Sequence, residues 1–301
     1  MSHISVPNPP VLFASEAHPL QATLVSNLGA QPGAFTRRQF PDGESYLRVQ
    51  TPVAGKHCIV IADLSYPNDK YLPLIFLLET LRDLGAARVG VVAPYLSYLR
   101  QDKRFHDGEA ITSKIFAQAL SQHMDWLVTV DPHLHRYHTL DSIYSVPSSV
   151  VSGAPALAAW LKAKTDLLLV GPDAESEQWV SDIALQSGHP FVIGAKQRFG
   201  DRDVNVSLPD ITAYATHTAV IIDDVIASGQ TILQCIKAIK ANGMQRVCVV
   251  AVHGIFVEGV DAELRSAGLE SLLSTNTITH STNAIDVTPL LIDPITRFLS
   301  K

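Results

Sequence analysis

The residues best suited to chemistry lie in Ala219–Ile232, Ala-Val-Ile-Ile-Asp-Asp-Val-Ile-Ala-Ser-Gly-Gln-Thr-Ile. An apolar run ends in two adjacent carboxylates, Asp223 and Asp224. A short turn through Ala227, Ser228, Gly229, Gln230 and Thr231 then leads into a helix-like segment. Such a turn presents backbone N–H groups at a helix N-terminus, where unpaired donors and the helix dipole suit a phosphate. Carboxylates at the strand end can accept hydrogen bonds from vicinal sugar hydroxyls or hold a hard cation. The same residues also fit an ordinary strand–turn–helix with Ser228 as the N-cap. The segment by itself leaves both readings open.

Other polar groups follow apolar runs in the same way. Arg100 and Gln101 come after one such run. An arginine there offers a planar fork that matches phosphate oxygens, although both residue types are commonly solvated. His133 has His135 and His138 as neighbours in a chain of 12 histidines. No cysteine stands at a zinc spacing and no His-Glu-x-x-His pattern occurs, so structural zinc is set aside. Lys196-Gln197-Arg198 reads as a solvated loop, or as two cations that offset charge developing on a transferred phosphoryl group. Phe40 is a core aromatic or a stacking surface.

The elements that must position these groups alternate regularly. Strand-like runs are Val11–Ser15, Cys58–Leu64, Arg88–Ala93, Trp126–Val130, Leu167–Val170, Phe191–Ala195, Ala219–Asp223 and Val247–Val252. They are continuously apolar rather than alternating, which suits a parallel sheet covered on both faces. Between them lie helical spacings such as Leu74, Leu77, Leu78 and Leu81, and Ile232, Ile236 and Ile239 followed by Gly243 as a C-terminal cap. The rhythm predicts an α/β doubly wound fold. The small, turn-rich stretch Ser148–Pro155 lies near the midpoint and divides the chain into expected domains 1–150 and 151–301.

Composition narrows the class further. The chain has 301 residues, a net charge of -6 and 47% hydrophobic residues, enough for a sizeable core. A mild acidic excess argues against a nucleic-acid surface. No apolar run is long enough to span a bilayer, and Met1–Pro10 lacks the features of a signal peptide. The three cysteines, Cys58, Cys235 and Cys248, share no short spacing and read as buried thiols. A cytoplasmic protein, with no membrane or nucleic-acid partner, is expected.

Five ordered blocks resemble the ribose-phosphate pyrophosphokinase family. Ala219–Ile232 resembles the phosphoribosyl pyrophosphate loop, which phosphoribosyltransferases share. Phe40-Pro41-Asp42-Gly43-Glu44 resembles the Phe-x-Asp-Gly-Glu turn that reaches the adenine of ATP bound to a neighbouring subunit. Residues 94–105, Pro-Tyr-Leu-Ser-Tyr-Leu-Arg-Gln-Asp-Lys-Arg-Phe, resemble the Pro-Tyr-x-x-Tyr-x-Arg-Gln-Asp block, and Gly108–Lys114 continues it in an archaeal-type manner. Val130-Asp131-Pro132-His133 resembles the strand that offers a metal-ligand histidine, and Pro172-Asp173 the start of the Pro-Asp segment in the second domain. Ser274–Ile278 stands near a Thr-Asn-Thr-type strand.

The resemblance implies two similar phosphoribosyltransferase-type, Rossmann-like domains, each a mostly parallel sheet flanked by helices. It implies transfer of the β,γ-diphosphoryl group of ATP to ribose 5-phosphate with Mg²⁺. Phe40, Asp42, Glu44, Arg100 and Gln101 then serve ATP, and His133 and Asp173 the metal. Asp223, Asp224 and the 227–231 turn serve ribose 5-phosphate, and Lys196 and Arg198 are the catalytic cations of a mobile loop. It also implies a dimer-based homo-oligomer, with the final segment, Ala284–Lys301, packing back across the interdomain surface.

The loop departs from the family's Asp-Asp-x-x-Asp-Thr-Gly-Gly-Thr at Ala227, Ser228 and Gln230. Glu175 and Ser176 stand where two glycines are common. Two alternatives stay open: a catalytically silent regulatory subunit of the same family, and a phosphoribosyltransferase that consumes the product.

Overall fold

Continuous Val/Ile/Leu runs build two six-stranded sheets in which every neighbouring pair of strands is parallel. The structure, a computed structural model, describes residues 8–134, 136–198 and 204–301; at 196–198, 204 and 205 it describes the backbone alone. The chain divides into two compact units, Met1–Val151 with Thr288–Lys301, and Ser152–Val287.

The first unit opens with β1 (Val11–Ala14), α1 (Gln21–Leu28) and β2 (Gln31–Pro32). The hairpin β3 (Phe35–Gln39) and β4 (Ser45–Val49) follows, then β5 (His57–Ile61), α2 (Asn68–Asp83) and β6 (Arg88–Ala93). α3 (Thr112–Ser121), β7 (Trp126–Val130) and β8 (Ser148–Val151) complete its first part. The sheet order is β2-β1-β5-β6-β7-β8. Leu74, Leu77, Leu78 and Leu81 are the buried stripe of α2, as their spacing predicts. Ser148–Val151 is the edge strand of this sheet rather than a linker. The unit boundary falls immediately after it, inside the turn-rich stretch.

The second unit contains α4 (Ala154–Lys162), β9 (Leu167–Gly171), α5 (Glu177–Ser187), β10 (Phe191–Ile193), β11 (Ala195–Arg198) and β12 (Val204–Ser207). It continues with β13 (Thr218–Ile226), α6 (Gln230–Ala241), β14 (Val247–Gly254), α7 (Val260–Ser266), β15 (Ser271–Thr275) and β16 (Asn283–Ile285). The sheet order is β10-β9-β13-β14-β15-β16. The expected strand Phe191–Ala195 divides at Gly194. A Cβ there would lie 2.8 Å from the Pro172 carbonyl oxygen. Beyond it, β11 pairs antiparallel with β12, so Lys196 and Arg198 sit on a β-ribbon where a loop was expected.

The last helix, α8 (Thr288–Leu299), corrects the expected second domain of 151–301, because it belongs to the first unit. Its buried face includes Leu291, Ile295 and Phe298. The Phe298 ring stacks on Trp126 of β7 at 5.0 Å with planes 5° apart, a contact worth about 0.5–1.5 kcal/mol beyond its buried area. Trp126 in turn covers Gly90 of β6, where a Cβ would lie 1.8 Å from the indole. The glycine makes room for the tryptophan, and the tryptophan docks the helix. No helix among the described residues is long and apolar enough to cross a membrane.

Candidate functional site

In the second unit, β9 connects to β10 on one side while β13 connects to β14 on the other, so the strand order reverses between β9 and β13. Ligands of open α/β sheets bind outside the carboxyl ends of the strands at such a point. Val170 of β9 lies opposite Ile221 of β13, so the two strands carry Asp173 and the Asp223–Asp224 pair over the same edge.

Local hydrogen bonds fix these carboxylates. The backbone N–H of Asp224 donates to Asp223 Oδ1 at 3.1 Å, and that of Val225 to Asp224 Oδ1 at 2.8 Å. Glu175 N–H donates to Asp173 Oδ1 at 3.2 Å at the start of a short 3₁₀ turn. Cys235, buried one turn into α6, senses two of these groups. Burial, then the negative charges of Asp223 and Asp173, push its thiol up.

The turn before α6 is shaped by one glycine. Gly229 is the N-cap, with φ 68°, and no side chain caps the helix. Ser228 therefore does not cap α6. Its first N–H groups lack intrahelical partners by construction and face outward for an anion. The left-handed conformation falls on Gly229 and not on Gln230, which starts the helix exposed and without backbone strain. The following segment braces the turn from behind. Ile255 and Phe256 N–H both donate to the Ile226 carbonyl at 3.0 Å, and Val257 N–H donates to that of Ala227 at 3.1 Å.

No three His, Cys, Asp or Glu side chains converge on a common metal position among the described residues. An ion that keeps waters and takes further ligands from substrate phosphates needs only one or two carboxylates. Asp173, Asp223 and Asp224 fit a hard divalent cation on that basis.

In the first unit the strand order reverses between β1 and β5. There Lys70 fills the edge, lying 2.9 Å from Asp63 and 3.4 Å from Glu16. Burial opposes ionisation of Asp63, but hydrogen bonds from Lys70 and Ser65 outweigh it and hold its carboxyl below the usual range. At this edge the carboxylates of Asp63 and Glu16 are paired within the chain.

The groups expected to serve ATP stand elsewhere in that unit. Phe40 lies at the tip of the β3–β4 hairpin, 40% exposed. The Arg38 guanidinium lies over the rings of both Phe40 (4.6 Å) and Tyr46 (4.3 Å). Asp42 Oδ1 accepts from the Glu44 N–H at 3.1 Å, and Gly43 takes φ 92° to close the turn. Asp42 and Glu44 are both exposed.

Arg100 is exposed and makes no ion pair among the described residues, and Gln101 is half-buried. Tyr98, two residues earlier, holds φ 60°, packs against Phe116 with ring centres 4.7 Å apart and planes tilted by 35°, and donates its hydroxyl to Asn68. His133 is half-buried after β7, and Asp131, two residues earlier, holds φ 33°. Non-glycine residues at positive φ persist where the surroundings over-determine them, commonly at functional sites. His138 is exposed, and His135 lies outside the described residues. So do the side chains of Lys196 and Arg198.

Three contacts escape a sequence reading: Arg38 over Phe40, Lys70 between Asp63 and Glu16, and an ion pair of Arg136 with the buried Asp102 at 2.8 Å. Arg38 and Phe40 stand at the two-residue strand spacing, but Lys70 with Glu16 and Arg136 with Asp102 meet only through the fold.

Comparison with known proteins gives a consistent picture. Residues 10–123 match the N-terminal domain of ribose phosphate pyrophosphokinase, and residues 143–282 the phosphoribosyl transferase domain. The ribose-phosphate pyrophosphokinase of Methanobrevibacter smithii is 33% identical over 92% of this chain and 96% of its own length. That of Saccharolobus solfataricus is 35% identical over 79% of this chain and 82% of its own. The crystal structure of phosphoribosylpyrophosphate synthetase from Mycobacterium smegmatis shares the fold, with a TM-score of 0.83, 23% identity, and coverage of 97% of this chain and 99% of that one. With these matches spanning both units, the chain belongs to the ribose-phosphate pyrophosphokinase family.

Proposed function

We propose that this protein makes phosphoribosyl pyrophosphate, transferring the β,γ-diphosphoryl group of ATP to the 1-hydroxyl of ribose 5-phosphate and releasing AMP. The observation that carries the reading is the uncapped N-terminus of α6 beside Asp223 and Asp224, at the strand-order reversal of the second sheet.

The backbone N–H groups of the 227–231 turn bind the 5-phosphate, and Asp223 and Asp224 accept hydrogen bonds from the ribose hydroxyls. The 1-oxygen attacks the β-phosphorus, the bond to the α-phosphate oxygen breaks, and the hydroxyl proton passes to solvent. Asp173 and, by resemblance, His133 would hold Mg²⁺, which would neutralise charge on the triphosphate. Arg100 and Gln101 bind the triphosphate and nucleotide, which suits an exposed guanidinium without a carboxylate partner among the described residues. Phe40 stacks on adenine, with Asp42 and Glu44 as acceptors. Lys196 and Arg198 stabilise charge on the transferred group by resemblance.

The exposed Phe40 hairpin supports an ATP site shared between subunits of a homo-oligomer. It also separates this reading from a phosphoribosyltransferase, which has no use for an adenine-stacking hairpin. A cytoplasmic location accompanies the reading.

The test is AMP release from ATP and Mg²⁺ with and without ribose 5-phosphate. Sugar-dependent AMP together with a diphosphorylated pentose is the expected result. Folded protein that binds ATP yet releases no sugar-dependent AMP would favour a regulatory subunit.

A further inference from the structure

Asp102 follows Arg100 and Gln101 directly, yet its side chain is only 1% exposed. A buried carboxylate must be paired. Its partner is Arg136, three residues after His133, whose Nη1 donates to both carboxylate oxygens at 2.8 and 3.0 Å. The backbone of the same residue is held as well. The Tyr137 hydroxyl donates to the Asp102 carbonyl at 3.0 Å. With that proton committed, the 2.9 Å contact between Tyr137 and Ser113 has the serine hydroxyl as donor. Ser113 N–H donates in turn to the Gln101 carbonyl at 3.3 Å. The Arg136 guanidinium also lies 5.4 Å from the ring centre of Phe105, which Lys103 approaches at 5.0 Å.

The segment bearing Arg100 and Gln101 is thus tied, by carboxylate and by carbonyl, to the segment that leaves β7 beyond His133. We infer that Asp102 and Arg136, with Tyr137, form a strut that positions Arg100 and Gln101 for the nucleotide; this rests on the ATP assignment proposed above. Asp102 and Arg136 are positioning residues. They set ATP affinity through the backbone of residues 100–102 and leave the ribose 5-phosphate site untouched.

The experiment is steady-state kinetics of R136M, R136K and the D102N/R136M double variant, with Tm measured on each. R136M raises KM for ATP about tenfold, below the roughly hundredfold that a 1 Å misplacement can cost. KM for ribose 5-phosphate stays within about twofold of wild type, since the strut does not touch that site. R136K keeps a cation for both oxygens and recovers most of the affinity. The double variant leaves no unpaired buried charge, so it folds even where R136M does not, and it keeps the raised KM for ATP. Unchanged KM for ATP in the folded double variant, or equal rises for both substrates, overturns the strut.

If the wild-type protein shows no sugar-dependent AMP release, the functional reading fails on its own. The strut is then judged by hydrogen exchange of residues 99–103 in the double variant. Faster exchange there, with the rest of the unit unchanged, supports it; unchanged exchange overturns it.

Discussion

A Cβ built on Gly229 would lie 2.8 Å from Val260 Cγ1, so the turn that opens α6 is packed directly against α7. Gly229 also holds φ 68°. Gly229→Ala therefore meets two costs, a left-handed backbone of about 1–3 kcal/mol and a methyl group driven into Val260. The turn is expected to shift, raising KM for ribose 5-phosphate and lowering Tm. Adding Val260→Ala relieves the contact and not the φ, so it should restore only part of each. Kinetics and Tm of the single and double variants decide this, and full recovery in the double variant would remove the backbone conformation from the argument.

Asp224 offers a cleaner probe of the proposed sugar contacts. Its Oδ1 accepts the Val225 N–H at 2.8 Å, and an asparagine carbonyl can still accept there. Asp224→Asn thus keeps the local hydrogen bond and removes the charge. Hydrogen bonds to charged groups contribute about 1.5–3 kcal/mol, so KM for ribose 5-phosphate should rise roughly tenfold or more, with KM for ATP nearly unchanged. Parallel titration of both substrates is the check; a rise confined to ATP would move Asp224 away from the sugar.

The sheets and the turn before α6 were legible because their signals are local. Arg88–Ala93 and Trp126–Val130 are strands with the bounds their apolar runs define. Asp223 and Asp224 end such a run, and the turn that follows has its own composition. What escaped depends on contacts distant in sequence. Ser148–Val151 reads as a turn from its small residues, yet it gains order by pairing with β7. The helix Thr288–Leu299 carries no mark of its host until Trp126 meets Phe298 across 172 positions. Lys196 and Arg198 read as a loop because β11 lacks apolar residues at their positions, and only β12 completes the ribbon. Sequence does not say which residue of the turn before α6 takes the left-handed conformation; the fold assigns it to Gly229 and not to Gln230.

Phe40 tests the adenine side. The ring is 40% exposed and contributes little to the core. Base–aromatic stacking is worth about 1–3 kcal/mol by alanine substitution, so Phe40→Ala should raise KM for ATP about 5- to 150-fold while Tm changes little. A shared site makes a second expectation: a mixed oligomer of Phe40→Ala and Arg100→Ala subunits regains activity that neither variant has alone. Activity in the mixture no greater than the sum of the separate variants would place Phe40 and Arg100 in the same subunit's site.

Acid stability should carry a signature of His57. Its Nδ1 is buried without a hydrogen-bond partner among the described residues. Burial, then the positive charge of Arg88, lowers its pKa below the ordinary 6.5, against the opposing charge of Asp125. The unfolded chain therefore takes up the proton first as pH falls. The stability linked to neutral His57 is fully present above pH 6.5 and is lost as pH drops through the lower folded value. Asp63, whose folded pKa is also lowered, adds a second loss of the same sign below its ordinary 3.8. Tm should thus fall on moving from about pH 7.5 to about pH 5.5, in the window the histidine controls. His57→Gln, which cannot charge, should flatten that slope while leaving the steeper loss below about pH 4 from Asp63 and other carboxylates. Equal slopes in wild type and His57→Gln would assign the upper window to a different group.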